Sequence, residues 1–177
     1  MREMDTGVKT IIREVTAIPT LMHWRREVIE NVFGVEPSKR LLVANRQYYQ
    51  RNIAEGRHIA IIAEMNGTDA GCGAICLSEE LPSPDNPTGR CAFLMNIYVR
   101  DQFRRQGIGR TIVEWLLDKA RQLECGKIYL ETTDGVRPLY KETGFKDLTG
   151  YMKYADNQNI TTPLPRFKIY TKQFGKM

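Results

Sequence analysis

Between Cys91 and Val99 the chain runs through CAFLMNIYV, in which only Asn96 is polar. The run is too short to cross a membrane, which takes roughly 18 apolar residues or more. A strand that is apolar on both faces has to be covered on both, so it belongs at the centre of a sheet with layers above and below. The next segment is the opposite in character. Arg100 to Gln106 (RDQFRRQ) is polar and basic, and from Gly107 to about Leu123 a helical pattern sets Ile108, Ile112, Trp115, Leu116, Ala120 and Leu123 on one side.

The rest of the chain extends that plan. Val8–Val15 reads as a first strand. Residues 17–33 form a helix with a stripe of Leu21, Trp24, Val28, Ile29 and Val32. After a break at 34–37, Ser38 is placed to cap a second helix reaching about Ala54, its buried side carrying Leu41, Leu42, Tyr48, Tyr49 and Ile53. Arg57–Met65 and Asp69–Ser78 are strands joined by a tight Asn66-Gly67 turn. The segment 81–89, with three prolines, is a loop. Lys127–Thr133 is a further strand, Val136–Glu142 a short helix ended by a left-handed Gly144, and Phe145–Tyr154 the last strand of the core. A tail from Ala155 ends in a strand-like stretch over 166–174. The order β-α-α-β-β-β-α-β-α-β implies a mixed α/β fold, one domain over residues 1–177 with a core of about 8–154 and a tail of 155–177.

The chain has 177 residues, 42% hydrophobic and 27% charged, the balance of a soluble globular protein. Its polar start, MREMDTGVKT, lacks the apolar core of a signal peptide, so a cytoplasmic location is expected, with no membrane partner. Cys72, Cys76, Cys91 and Cys125 contain no CxxC pair, and the two histidines, His23 and His58, are far apart, so no metal is expected and the thiols read as buried and reduced. The net charge of +5 suits a polyanionic ligand. Nucleic acid is not the expected partner, because Arg100, Arg104, Arg105 and Arg110 gather on one loop instead of alternating with aromatics over a surface.

That loop, Arg104-Arg105-Gln106-Gly107-Ile108-Gly109-Arg110-Thr111, leaves a strand and opens a helix. Glycines there expose backbone amides, the helix start adds positive potential, and arginines add charged donors, which together make a pyrophosphate site. A Walker loop would need a lysine where Arg110 stands, and a dinucleotide fingerprint would need a third small residue where Ile112 stands. The remaining pattern, Arg/Gln-x-x-Gly-x-Gly/Ala, is met by Arg104, Gly107 and Gly109.

With Asn96-Ile97-Tyr98-Val99 before this loop and Leu139-Tyr140-Lys141-Glu142-Thr143-Gly144-Phe145 after it, the sequence resembles the GCN5-related N-acetyltransferase (GNAT) superfamily, over roughly residues 57–154. The resemblance implies a splayed, mainly antiparallel mixed sheet with helices on both faces. It implies acetyl-CoA as co-substrate and an amine acceptor, small molecule or peptide, which the sequence does not name. Backbone groups around Ile97, Tyr98 and Val99 would pair with pantetheine as a peptide pairs with a sheet edge. Residues Arg104, Arg105, Gln106, Gly107, Ile108, Gly109, Arg110 and Thr111 would hold the pyrophosphate. Tyr140 falls on the position of a frequent general acid, which could also be a packing tyrosine. Where the family often has a cofactor-holding asparagine this chain has Asp134, which is left out of the set; Thr132 or Thr133 could supply a hydroxyl instead.

The expected reaction is direct attack by a neutral amine, with a main-chain N–H of the fourth strand facing the oxyanion and Tyr140 protonating the thiolate. Glu64, Glu131 and Asp134 are candidates for the base, each with a plain surface role as the alternative. Asn96, an amide inside an apolar strand, either satisfies neighbouring backbone or touches substrate. Asn96 and Glu64 are therefore the candidate substrate residues. A domain that binds coenzyme A without turnover is the alternative function, and pairing into a homodimer is a further implication of the resemblance.

Overall fold

The structure, a computed structural model, describes residues 10–152. Five strands form one sheet in the order β1-β2-β3-β4-β5: β1 Thr10–Val15, β2 His58–Met65, β3 Thr68–Glu79, β4 Arg90–Val99 and β5 Lys127–Leu130. The first four are antiparallel neighbours, and β5 runs parallel to β4 after a helical crossover. The helices are α1 Ile18–Val28, continued by a π-turn over Ile29–Phe33, then α2 Lys39–Ala54, α3 Ile108–Gln122 and α4 Arg137–Glu142.

Strands β2 to β4 are apolar on both faces, as the central position requires. On one face Ile61, Ala63, Ile75, Ala92 and Leu94 pack under Ile108, Ile112, Val113 and Leu116 of α3. On the other, Ala60, Ile62, Cys72, Ala74 and Tyr98 pack under Leu21, Trp24 and Val28 of α1 and Tyr49 of α2. Two glycines of β3 let α3 lie close. A methyl on Gly73 would come within 2.7 Å of Ile112 Cγ2, and one on Gly71 within 2.7 Å of the Tyr98 carbonyl.

Turns and caps follow the local chemistry. Ser38 Oγ accepts from the Leu41 amide at 3.2 Å. Asn66 and Gly67 take φ of 52° and 75°, the left-handed pair that a two-residue hairpin demands. The proline-rich loop is fastened by Asn86, fully buried, whose amide donates to Glu80 Oε1 at 3.0 Å, while Lys127 Nζ reaches the same carboxylate at 2.7 Å.

Three expectations change. The first helix does not carry its stripe to Val32, which is exposed, because the π-turn adds a residue and rotates the face. On α2 the buried residues are Tyr49 and Asn52, while Leu41 is exposed. Helix α2 buries its C-terminal half, beside β2, and of its first turn only Leu42 is half-buried. Residues 145–152 form no strand, and Leu148, Tyr151 and Met152 are exposed there, because nothing among the described residues offers them a ladder. The expected strand at 166–174 lies outside the described residues, as do residues 8–9 of the first strand and 153–154 of the last.

Candidate active site

Strands β4 and β5 pair only from Cys91↔Lys127 to Leu94↔Leu130. There β5 ends, and β4 runs on to Val99 with a neighbour on its β3 side alone. The sequence predicts β5 to Thr133; its early end is what opens the sheet. At the same point β4 carries an extra residue: Ala74 faces Met95 and Cys72 faces Tyr98, so three steps on β4 oppose two on β3. Asn96 occupies this bulge at φ 56°, a left-handed conformation that Asn tolerates better than most residues. Its carbonyl accepts from Cys72 Sγ at 3.3 Å, and its side-chain Oδ1 accepts from Arg25 Nη1 at 2.9 Å. The amide is thus satisfied from α1 as well as from the sheet.

The free length of β4 leads straight into the glycine loop. Arg105 (φ 60°) and Gly107 (φ 79°) are both left-handed, and Gly107 caps α3 with no side chain in the way. The amides of residues 105–110 meet no carbonyl across this turn, the first three lying outside the helix and the next three forming its first turn. Thr111 is the first to find one, Gly107 O at 3.0 Å. Six donors without a backbone acceptor therefore gather at one helix N-terminus, the local arrangement that takes phosphate oxygens.

The arginines do not converge as the sequence suggests. Arg100 turns away to α1, where Nε and Nη2 each lie 2.7 Å from the Glu27 carboxylate and the guanidinium covers Trp24 at 4.4 Å. That ion pair, more than any other cause, holds Glu27 below the usual carboxylate range. Arg104 straps its own turn, with Nε on Val99 O at 3.0 Å and Nη2 on Asp101 at 2.9 Å. Arg110 pairs with Glu142 of α4. Gln106 caps the Gln102 carbonyl at 3.2 Å, and Thr111 Oγ1 lies 3.3 Å from Gly107 O. Arg105, next to the open amides in sequence, is exposed and alone of the four has no ion pair or side-chain hydrogen bond among the described residues. Ile108 is buried, so its amide is what it can offer a ligand.

Gly109 also faces the protein interior. A methyl there would stand 3.4 Å from Leu139 Cδ2 and 3.9 Å from Val99 Cγ2, ordinary contact distances, so α4 packs beside α3 and β4 at this point. That packing brings Tyr140 to the site. Its ring is 8% exposed and lies edge-on to Phe145 at 5.9 Å. Its hydroxyl makes no hydrogen bond among the described residues, and it is not among the fully buried unpaired atoms, of which His58 Nε2 is the one found. It therefore keeps some contact with solvent. Burial pushes its pKa above the ordinary 10.

Of the remaining candidates, Tyr98 points its ring to the α1 side, edge-on to Trp24 at 6.4 Å, which leaves its backbone for the open edge. Ile97 and Val99 lie half-buried on the α3 side. Glu64 sits two strands away beside the Asn66-Gly67 turn, level with the far end of β4, and is not brought to the splay. Asp134 is 95% exposed and pairs with Arg137 at 3.3 Å. Thr132 Oγ1 turns to the Thr133 carbonyl at 3.2 Å. Glu131 is the first residue past β5, exposed where the strands part.

The sequence matches the acetyltransferase (GNAT) family over residues 19–145. The chain belongs to that family. A thialysine N-epsilon-acetyltransferase of Sus scrofa is 31% identical over 96 residues, covering 42% of this chain and 56% of that protein, so the chain spans about half the length of this curated relative. Among solved structures, a "predicted acetyltransferase" of Clostridium acetobutylicum crystallised with acetyl-CoA is 25% identical, with a TM-score of 0.73 over 83% of this chain and 96% of that one. An aminoglycoside N-acetyltransferase in complex with CoA, 15% identical, shares the fold with a TM-score of 0.65 over 85% of this chain and 97% of its own. The open mixed sheet of this GNAT chain matches theirs. No helix among the described residues is long and apolar enough to cross a membrane.

Sequence reasoning missed Arg25 and Asn45. Arg25 Nε lies 3.1 Å from Asn45 Oδ1 on α2, while its Nη1 holds Asn96 of β4. No local motif marks them, because they meet only when α1, α2 and β4 fold together.

Proposed function

We propose that this chain is an N-acetyltransferase that moves the acetyl group of acetyl-CoA to a primary amine by direct attack, acting as a single domain. The observation that carries the reading is the splay itself: β4 loses its β5 partner at Leu94 and its free edge runs into six open amides at the start of α3. The neighbours solved with acetyl-CoA or CoA support the same ligand. In this reading the backbone of Ile97, Tyr98 and Val99 pairs with the pantetheine arm, though Val99 O already has Arg104 as a partner. The amides of 105–110 and the Arg105 guanidinium hold the pyrophosphate. Coenzyme A supplies the activated acyl group as a thioester.

The protein's own part is orientation and proton transfer. A β4 amide near the bulge faces the developing oxyanion. Tyr140, kept protonated by burial, donates to the departing sulfur. An alkylammonium has an ordinary pKa of about 10.4 and must first lose a proton; Glu131, where β5 ends, is the carboxylate assigned to that step. The acceptor class follows the relative named for thialysine: a small amine on a flexible chain, as in a lysine-type amino acid.

The test is release of free thiol from acetyl-CoA across a panel of amines, with the melting temperature followed in parallel. Acetyl-CoA should raise the melting temperature of the wild type. Arg105→Glu places a carboxylate at the open amides on an exposed residue, so folding should persist while the KM for acetyl-CoA rises about 10-fold or more. An unchanged KM would move the pyrophosphate elsewhere. A thermal shift without thiol release for any amine would leave a coenzyme A-binding domain without turnover.

A further inference from the structure

Four arginines among the described residues are half-buried: Arg25, Arg100, Arg110 and Arg137. Three have carboxylates. Arg100 has Glu27, Arg110 has Glu142, and Arg137 has Asp134 and Asp147. Arg25 has none. Its Nε and Nη1 rest on the side-chain oxygens of Asn45 and Asn96, both neutral, and its Nη2 donates to nothing among the described residues. The nearest acid along α1, Glu27, is taken by Arg100 through both oxygens. The Phe33 ring lies 5.8 Å from the Arg25 guanidinium carbon and adds a face, not a counter-charge.

A half-buried cation without an anion is costly, and two hydrogen bonds to amides orient it without neutralising it. Its place gives the cost a use. The guanidinium is gripped between α1, α2 and the β4 bulge, on the face of the sheet opposite α3, at the point where β4 parts from β5. The glycine loop and α3 approach that point from the other side. An acceptor reaching the open strands from the α1–α2 face passes this cation.

We propose that Arg25 is the anchor for a carboxylate on the acceptor, so that the preferred substrates are amines that carry a carboxylate, amino acids or peptides with a free C-terminus. This rests on the acetyl-transfer reading and narrows its acceptor class. The planar fork, fixed through Nε and Nη1, leaves Nη2 to make a charge-assisted hydrogen bond to one carboxylate oxygen. Asn45 and Asn96 are positioning residues in this arrangement.

The experiment compares matched amines that differ by one carboxylate: L-lysine with 1,5-diaminopentane, L-ornithine with 1,4-diaminobutane, and glycine with methylamine. The quantity is kcat/KM for each at saturating acetyl-CoA. In the wild type at least one carboxylate-bearing member should be preferred over its partner by about 10- to 100-fold, the range of a hydrogen bond to a charged group. Arg25→Gln keeps an amide donor for the asparagine oxygens and removes the charge; it should bring that ratio close to one, mainly through KM for the carboxylate-bearing member. Arg25→Lys restores the charge without the fork and should give an intermediate ratio, which a purely structural role for Arg25 would not. Asn45→Ala loosens the guanidinium on a half-exposed helix face and should lower the ratio a few-fold. The proposal is overturned if no carboxylate-bearing amine is acetylated, if the wild type does not discriminate within the pairs, or if Arg25→Gln keeps the wild-type ratio. Those results with an intact acetyl-CoA thermal shift and an active non-carboxylate amine would spare the acetyl-transfer reading; absence of the shift and of all turnover would remove both.

Discussion

A tyrosine that is buried by its ring and keeps its hydroxyl toward solvent, without a partner in the protein, is held by packing alone. Tyr140 is one, and Phe145 packs only against its ring. The hydroxyl is therefore free for a transient partner. Tyr140→Phe should leave the melting temperature within a degree or two and the KM for acetyl-CoA nearly unchanged. In the proposed mechanism kcat should fall by about 10²- to 10⁴-fold, the range for a positioned acid. Wild-type kcat in the variant would make Tyr140 a packing residue, and a raised KM at unchanged kcat would make it a binding one. Because burial raises the tyrosine pKa above 10, deprotonation of Tyr140 should not shape the pH profile of the wild type below that pH. Tyr140 and the glycine loop are legible in the sequence because each lies in a contiguous motif. Asn96 is legible as an amide out of place in an apolar run. Arg25 is not, because its partners lie 20 and 71 residues away and become its neighbours only on folding.

At the level of elements, the seam between α2 and β2 is polar where apolar packing would serve. Tyr48 Oη and His58 Nδ1 are 3.2 Å apart, Tyr49 stacks edge-on at 5.2 Å, and His58 Nε2 is buried with no partner. Burial pushes the His58 pKa down to about 4, from 6.5. The unfolded chain then binds this proton more readily than the folded one. Stability from this group is complete above about pH 6.5 and is lost as pH falls toward about 4, by roughly 3 kcal/mol at most. His58→Phe removes the titration and keeps an aromatic ring, so urea unfolding at pH 4.5 and pH 7.5 should show a smaller difference in the variant. An equal difference in both proteins would place the acid sensitivity elsewhere, with Glu27 and its Arg100 partner the next group to examine. The elements themselves are mostly readable from period: α2 starts at the serine cap and ends at Ala54 as its pattern predicts. The strands that depart from their expected extent are those whose length depends on a neighbour. KIYLETT has strand composition throughout, but a ladder needs a partner, and β4 bends away at Asn96. The exposed stretch 146–152 has no neighbouring strand among the described residues either.

For the molecule as a whole, the sheet separates two approaches to one opening, the α3 face with its amide loop and the α1–α2 face with Arg25. Each depends on how closely its helix layer is seated. On the α3 side the seat is Gly73. Its missing side chain lets Ile112 Cγ2 and Leu116 Cδ1 reach the space a methyl would fill, at 2.7 and 3.1 Å. The first of these is a methyl fixed to the β-carbon of a fully buried isoleucine, so it cannot swing aside. Gly73→Ala must then lift α3 from the sheet or force Ile112 out of its rotamer, an overpacking cost of about 1–3 kcal/mol. In a domain of this size that lowers the melting temperature by roughly 2–12 °C. Because α3 carries the amides of the loop on its first turn, a lifted helix also displaces the donors, and the acetyl-CoA thermal shift should shrink beyond what lost stability explains. Ile112→Ala in the same chain vacates the contested volume and should restore the shift more fully than the melting temperature, since it costs core packing of its own. A Gly73→Ala protein with wild-type melting temperature and wild-type acetyl-CoA response would show that α3 is not seated on the sheet at this contact.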